Sequence, residues 1–288
     1  MLLRWLVSQA VRQNSRTVVR DAAQEAVRQA SKGDSPFLSL KVEDFPQPDV
    51  LVLFALSVEA TPFIEKLETP RRFRWEGVKG VIGKLNGRYV TVLQTGVGVQ
   101  HAAQMVEKVV PQLSVKTKWV SAGFAGALTA ELKRGDILMP NQVTDGVQTI
   151  PVPQHISASV VETTPYLHVG RLLTVDHLVA HPKERAKLFA RHEALACDME
   201  TTAIASTLER RQLCMTSVRI ISDSVDDEIP QEISSLLSQS TIAGKLGAAT
   251  GALFQRPSTA KELWKLREQA SRAANRLAGF LNGVVEQL

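Results

Sequence analysis

The segment LACDMETTAIASTLERRQLCMTSVRIISD, residues 195–223, carries the decisive pattern of this chain. An acidic trio, Asp198-Met199-Glu200, opens a helix, and a very apolar segment from Met215 to Ile221 then ends on Ser222-Asp223. Two carboxylate sites are thereby set at the edges of neighbouring elements, where they can face one small ligand from two sides. A purely structural explanation is also available. Asp198 and Glu200 favour a helix N-terminus, and Asp223 can cap the next helix. The rest of the chain decides between these readings.

Outward from this helix–strand unit, Val50-Leu51-Val52-Leu53-Phe54-Ala55 is a continuous apolar run of the kind buried on both faces of a sheet. Similar runs recur at Val90-Thr91-Val92-Leu93, Trp119-Val120, Ile137-Leu138-Met139 and Ser217-Val218-Arg219-Ile220-Ile221. Helical patterns over residues 59–67, 99–109, 183–191 and 200–210 separate several of them. Residues 80–84 and 88–93 flank Asn86-Gly87, a strong hairpin signal. Strands alternating with helices, plus one hairpin, predict an α/β fold: a three-layer α/β/α sandwich with a mixed central sheet. Residues 145–168 lack periodicity and read as a variable loop region. Thr259 and Glu262 make a capping-box pattern. Leu263, Leu266, Ala270, Ala273, Leu277, Leu281, Val284 and Leu288 follow at steps of three and four, predicting a long amphipathic helix.

With 288 residues, 44% hydrophobic and 22% charged, the composition is that of an ordinary globular protein. Cys197 and Cys214 are isolated and read as small core residues, without disulfide or zinc spacing. A reducing, cytoplasmic compartment is the expectation. The net charge of +5 is concentrated at one end. In the first 32 residues, Arg4, Arg12, Arg16, Arg20, Arg28 and Lys32 oppose only Asp21 and Glu25, leaving the remainder nearly neutral. A nucleic-acid enzyme would spread its cations around its site, so no nucleic-acid partner is expected.

The chain divides in this reading into a basic helical extension and linker, 1–48, and one large domain, 49–288. In the extension, Val19, Ala22, Ala23, Ala26, Val27 and Ala30 recur at helical spacing. Such a helix can lie on an anionic membrane surface or dock on a partner; a loosely held terminal helix is the plainer account. Its apolar start, residues 2–7, is too short to span a bilayer.

Two glycine-rich segments follow buried strands and read as turns: Gln94-Thr95-Gly96-Val97-Gly98, and Ser121-Ala122-Gly123-Phe124-Ala125-Gly126-Ala127. Glycines there would let a ligand approach backbone amides. Neither completes a dinucleotide fingerprint, because His101 stands at the third glycine position. His177 and His181 have helical metal-ligand spacing, but Pro182 argues against a helix through them, so no zinc site is expected. Ser222 lacks a nucleophile elbow and reads as orienting Asp223 or capping a helix. Arg219, in an apolar strand, needs a partner; Glu59 or a water near a bound sugar is the expected one.

Together these blocks resemble the nucleoside phosphorylase/nucleosidase superfamily, and within it the 5′-methylthioadenosine/S-adenosylhomocysteine nucleosidases. The resemblance covers about Val50 to the C-terminus. It rests on Ala55-Leu56-Ser57-Val58-Glu59, on Phe124-Ala125-Gly126-Ala127-Leu128 leading to Gly135-Asp136-Ile137, on Asp198-Met199-Glu200-Thr201-Thr202-Ala203, and on Val218-Arg219-Ile220-Ile221-Ser222-Asp223. It implies hydrolysis of the N-glycosidic bond of a purine ribonucleoside, with release of adenine. No cofactor or metal is implied. Asp223 would hold or deliver the proton at purine N7, its carboxyl raised in pKa by Ile220 and Ile221. Glu59 would activate the attacking water. Glu200 would accept hydrogen bonds from the ribose hydroxyls, with Met199 beneath the sugar. Phe124, Ala125, Gly126, Leu178, Val179, Arg219 and Ser222 complete the implied substrate contacts, and a homodimer is the implied assembly.

The same resemblance leaves the nucleophile and the 5′ substituent to be settled. Phosphorylases of this superfamily need glycine and arginine near the end of the first strand, whereas this chain has Leu56-Ser57-Val58-Glu59 and no arginine until Arg71. A carboxylate about 4 Å from phosphate costs roughly 4 kcal/mol per unit charge at an effective dielectric of 20, which favours water. Phe124 stands where the nucleosidases carry a small serine, and Leu178 replaces the aromatic ring usually offered to adenine; the Phe124 ring can take over that stacking. Asp198-Met199-Glu200 with residues 179–185 is also similar to the hopanoid-associated branch, which releases adenine from an adenosylated lipid. The alternatives are therefore a phosphate-dependent phosphorylase, an adenosyl-lipid-cleaving relative, or, from another class, a non-catalytic nucleoside-binding module.

Overall fold

A computed structural model of the chain describes the backbone of residues 38–39, 45–153, 158–228 and 257–288, and the side chains of 45–153, 159–228 and 268–288. The helical pattern of the basic extension, most of the linker, and the Thr259, Glu262, Leu263 and Leu266 side chains lie outside the described residues. The chain forms two compact units, Met1–Ser39 and Leu40–Leu288. The first contributes the two-residue strand β1 (Leu38–Ser39); the second holds everything that follows.

The second unit begins with β2 (Val50–Phe54), α1 (Ser57–Ile64), β3 (Glu68–Trp75), β4 (Val78–Leu85), β5 (Arg88–Gln94) and α2 (Val99–Val109). Then come β6 (Lys118–Ala127), β7 (Ile137–Thr144), β8 (Thr149–Pro151), α3 (Ala158–Thr163), β9 (Leu167–Thr174) and α4 (Pro182–His192). The described part ends with β10 (Ala196–Asp198), α5 (Thr201–Glu209), β11 (Met215–Asp223) and α6 (Pro257–Gln287). The strands lie in the order β3-β4-β5-β2-β6-β10-β9-β7, and β11 pairs with both β6 and β7, so one end of the mixed sheet curls back on itself. Strands β5, β2, β6 and β11 run parallel. The β4–β5 hairpin closes at Leu85 and Arg88, with Asn86 and Gly87 at φ 52° and 78°, the left-handed pair demanded by a tight hairpin turn.

Strand alternation explains the layers. On β2, Leu51 and Leu53 enter one core with Ala102, Val106 and Val109 of α2 and Ile204, Ala205 and Leu208 of α5. Val50, Val52 and Phe54 enter the other, with Ala60 and Phe63 of α1 and Leu277, Leu281 and Val284 of α6. Helices therefore cover both faces of the sheet, and the continuous apolar run of β2 is buried on both sides. The spacing read for α6 holds for Ala273, Leu277, Leu281 and Val284, all buried.

Several local expectations are corrected. The stretch 121–127 is not a turn after a two-residue strand but a continuation of β6 to its end at Ala127. Its glycines are sheet residues whose missing side chains leave room for charged groups described below. Residues 145–168 contain β8 and α3 as well as loop, because pairing with β7 supplies order that periodicity does not announce. Asp198 closes strand β10, and the following helix starts at Thr201 with Glu200 as its N-cap. Cys214 is exposed rather than a core residue, whereas Cys197 is buried.

Candidate active site

Because β5, β2, β6 and β11 are parallel, their carboxyl ends meet along one edge, where α/β sheets present their ligand-binding loops. Each end delivers a piece of the sequence pattern. The chain leaves β2 into α1, whose first turn carries Glu59, and leaves β5 into Gly96-Val97-Gly98. The end of β6 carries Ala125-Gly126-Ala127, paired to the end of β11, which carries Ser222-Asp223.

Glu59 is 4% exposed. Its two oxygens accept hydrogen bonds from the backbone N–H groups of Leu56 and Phe124, each at 2.8 Å. A Cβ on Gly123 would lie 3.0 Å from Glu59 Oε1, so the glycine is what lets the carboxylate reach the sheet. Burial raises the Glu59 pKa; the two amides and the nearby Arg219 charge pull against it.

Arg219 does not pair with Glu59, as the sequence led us to expect. Its Nε and Nη2 each lie 3.1 Å from Asp198 Oδ2, and the two side chains are 3% and 1% exposed. Arg219 also donates to the Ser121 carbonyl at 2.8 Å and to the Ser121 and Thr201 hydroxyls at 2.7 and 2.5 Å. Asp198 additionally accepts from the Thr174 hydroxyl at 2.8 Å and from the Thr201 hydroxyl. A buried arginine inside an apolar strand needs full pairing, and Asp198 supplies the carboxylate. The first member of the acidic trio is therefore a structural anchor that fixes the loop on which Glu200 stands.

Glu200 accepts the Gly98 backbone N–H at 2.7 Å, at the head of α2. Gly98 has φ 98°, a conformation that favours glycine. The Glu200 carboxyl is pushed up to about 8 by burial, then by the charge of Asp198 and, more weakly, of Glu59. Glu59 and Glu200 thus feel one another, and Met199, half-buried, sits between Asp198 and Glu200 in sequence.

Asp223 was expected among apolar neighbours, and its surroundings are polar. Ile220 and Ile221 point into the two opposite cores. The Asp223 carboxylate, 19% exposed, instead forms an ion pair with Arg185 of α4, and its Oδ1 accepts the Ser222 hydroxyl at 2.5 Å. Of the two roles its sequence position allows, the Ser222 hydroxyl is turned toward the Asp223 carboxylate. Arg185 is the residue that sequence reasoning missed: it is one cation in a charged helix pattern, with no local sign that it is buried.

The expected purine contacts divide. Leu178 is half-buried on the loop before α4. Val179 turns its side chain into a small core with Leu128, Leu173, Ala194 and Cys197, so only its backbone borders Asp223's partner, Arg185. Phe124 packs against the layer beneath α1 and α6, on the strand face opposite Ala125. His177 lies between Asp176 and Glu184, at 2.7 Å from each.

A mixed α/β sheet with three carboxylates gathered at its parallel strand ends is the frame of a small-molecule enzyme. Residues 49–253 match the phosphorylase superfamily, and the chain belongs to that family. A 5′-methylthioadenosine/S-adenosylhomocysteine nucleosidase of Staphylococcus epidermidis is 28% identical over 198 residues, covering 60% of this chain and 85% of the relative. The enzyme of the same name from Staphylococcus aureus is 25% identical over 218 residues, covering 67% of this chain and 93% of the relative. The fold matches a Helicobacter pylori mutant of that nucleosidase solved with 5′-methylthioadenosine in its active site, with TM-score 0.63 and 17% identity over 85% of this chain and 100% of that one. It also matches Helicobacter pylori futalosine hydrolase, with TM-score 0.61 and 17% identity over 83% and 97%.

Proposed function

We propose that the chain is an N-glycosidic hydrolase that releases adenine from an adenosine-type nucleoside, with 5′-methylthioadenosine or S-adenosylhomocysteine as substrate. The observation that carries this reading is Glu59: a buried carboxylate held by two backbone amides at the end of β2. In that position it can take a proton from water and would repel phosphate. The two buried arginines among the described residues, Arg185 and Arg219, are each committed to a carboxylate, and the Gly98 amide is taken by Glu200. The cluster therefore offers little to a phosphate and much to a sugar cation.

In the resulting mechanism, the ribose hydroxyls hydrogen-bond to the Glu200 carboxyl, which fixes the sugar and its anomeric carbon against the site. As the C1′–N9 bond breaks, its electron pair moves onto the purine, and Asp223, protonated in the substrate complex, gives its proton to N7, so that neutral adenine leaves. Water attacks C1′ from the Glu59 side and gives its proton to Glu59. Met199 and Leu178 supply apolar surface to the sugar and the base. A homodimer acting in a reducing cytoplasm, in methionine salvage, completes the proposal.

The test is a product assay. Purified protein is incubated with methylthioadenosine, adenosylhomocysteine, adenosine and inosine, with and without phosphate. Adenine formed from the first two without phosphate is expected. Strict phosphate dependence, or tight binding without turnover, would overturn the reading in favour of a phosphorylase or a binding module.

A further inference from the structure

Arg185 is 1% exposed, and its guanidinium joins three parts of the site edge. One terminal nitrogen, Nη1, donates to the Ala127 carbonyl at the end of β6 at 3.0 Å. The other, Nη2, donates both to the Val179 carbonyl at 2.9 Å and to Asp223 Oδ2. Its Nε has no partner among the described residues. A Cβ on Gly126 would sit 2.7 Å from Asp223 Oδ2 and 2.8 Å from Arg185 Nη1, so the missing side chain there creates the space in which the pair meets. A cation this deeply buried is unfavourable unless it is paired, and α4 nevertheless spends it on Asp223.

We propose that Arg185 is a positioning residue for Asp223. It holds Oδ2 against the sheet, leaves Oδ1 with the Ser222 hydroxyl as the oxygen that meets the purine, and ties that geometry to the Leu178–Val179 loop through the same nitrogen. The inference rests on the assignment of Asp223 as the group that exchanges a proton with N7. A guanidinium suits this task because its rigid planar fork sets its donors in fixed directions from separate nitrogens, whereas the donors of an ammonium rotate about one point charge.

A double-mutant cycle on the full-length protein tests the inference, with steady-state adenine release as the readout. Arg185→Met should lower kcat about tenfold or more while KM changes less than about threefold. Arg185→Lys should recover part of that loss. In an Asp223→Asn background, Arg185→Met should cause little further loss, because the group it positions is already disabled. If Arg185→Met does not fold, the cycle is run with Arg185→Lys, and the same non-additivity is expected. An unchanged kcat, or an equal loss in both backgrounds, overturns the positioning role while leaving Asp223 as the acid. A wild-type kcat in Asp223→Asn alone overturns the acid assignment and this inference with it.

Discussion

Arg219 reaches Asp198 with two of its nitrogens, Nε and Nη2, both 3.1 Å from the same carboxylate oxygen, deep between β11 and the end of β10. Removing one partner of a buried pair strands the other charge, which destabilises a protein by about 3–5 kcal/mol. Arg219→Met and Asp198→Asn are each expected to lower stability by that order. The double variant should lose less than the sum, as measured by denaturant unfolding. Additive losses would show that the two side chains do not act as a unit.

Glu59→Gln is expected to reduce kcat by about 10²–10⁴, the range of general-base contributions. The substitution also turns an amide donor toward one of two N–H groups, Leu56 or Phe124, that now share the carboxylate. A loss of affinity with kcat preserved would remove Glu59 from the chemistry.

The carboxylates make stability depend on pH. Glu200 is pushed up to about 8 by burial and by Asp198, and Glu59 is raised by burial, both from a reference of 4.5. Between these limits the folded protein binds protons that the unfolded chain has released, so stability falls as pH rises through the window. The ligand-free protein should therefore melt at a lower temperature near pH 8 than near about pH 5.5, and Glu200→Gln should flatten that slope. A melting temperature that climbs across the same range would contradict the burial of these charges.

Gly126→Ala places a methyl group 2.7 Å from Asp223 Oδ2 and 2.8 Å from Arg185 Nη1, closer than real contacts allow. The expected result is a loss of adenine release of at least about tenfold, since a displacement of about 1 Å at a reacting group can cost 10²-fold. Circular dichroism should remain that of a folded α/β protein. Full activity would show that Asp223 works from another position.

Much of this was legible in the chain. Apolar runs mark the cores of β2, β5, β6, β7 and β11, and Asn86-Gly87 marks the hairpin, whereas the parallel strands β9 and β10 carry no such run and take their order from pairing with their neighbours. Three separated carboxylates, Glu59, Glu200 and Asp223, stand out in the sequence. What escaped is what pairing decides. Gly123 and Gly126 look like a turn because glycine is the usual turn residue, yet they sit within β6, where Glu59 and Asp223 leave no room for a side chain. Arg219 advertised its need for a partner through its apolar strand, but choosing Asp198 over Glu59 depended on the pairing of β6 with β10 and β11. Arg185 gave no signal, because a helix pattern shows which residues share a face and not which face meets a carboxylate.

The most direct test of the central claim is the origin of the oxygen placed on the sugar. Turnover of 5′-methylthioadenosine in water labelled with the heavy oxygen isotope should give adenine and a free sugar carrying the label at C1, at a rate indifferent to added phosphate. An unlabelled sugar 1-phosphate, formed only when phosphate is present, would contradict the account.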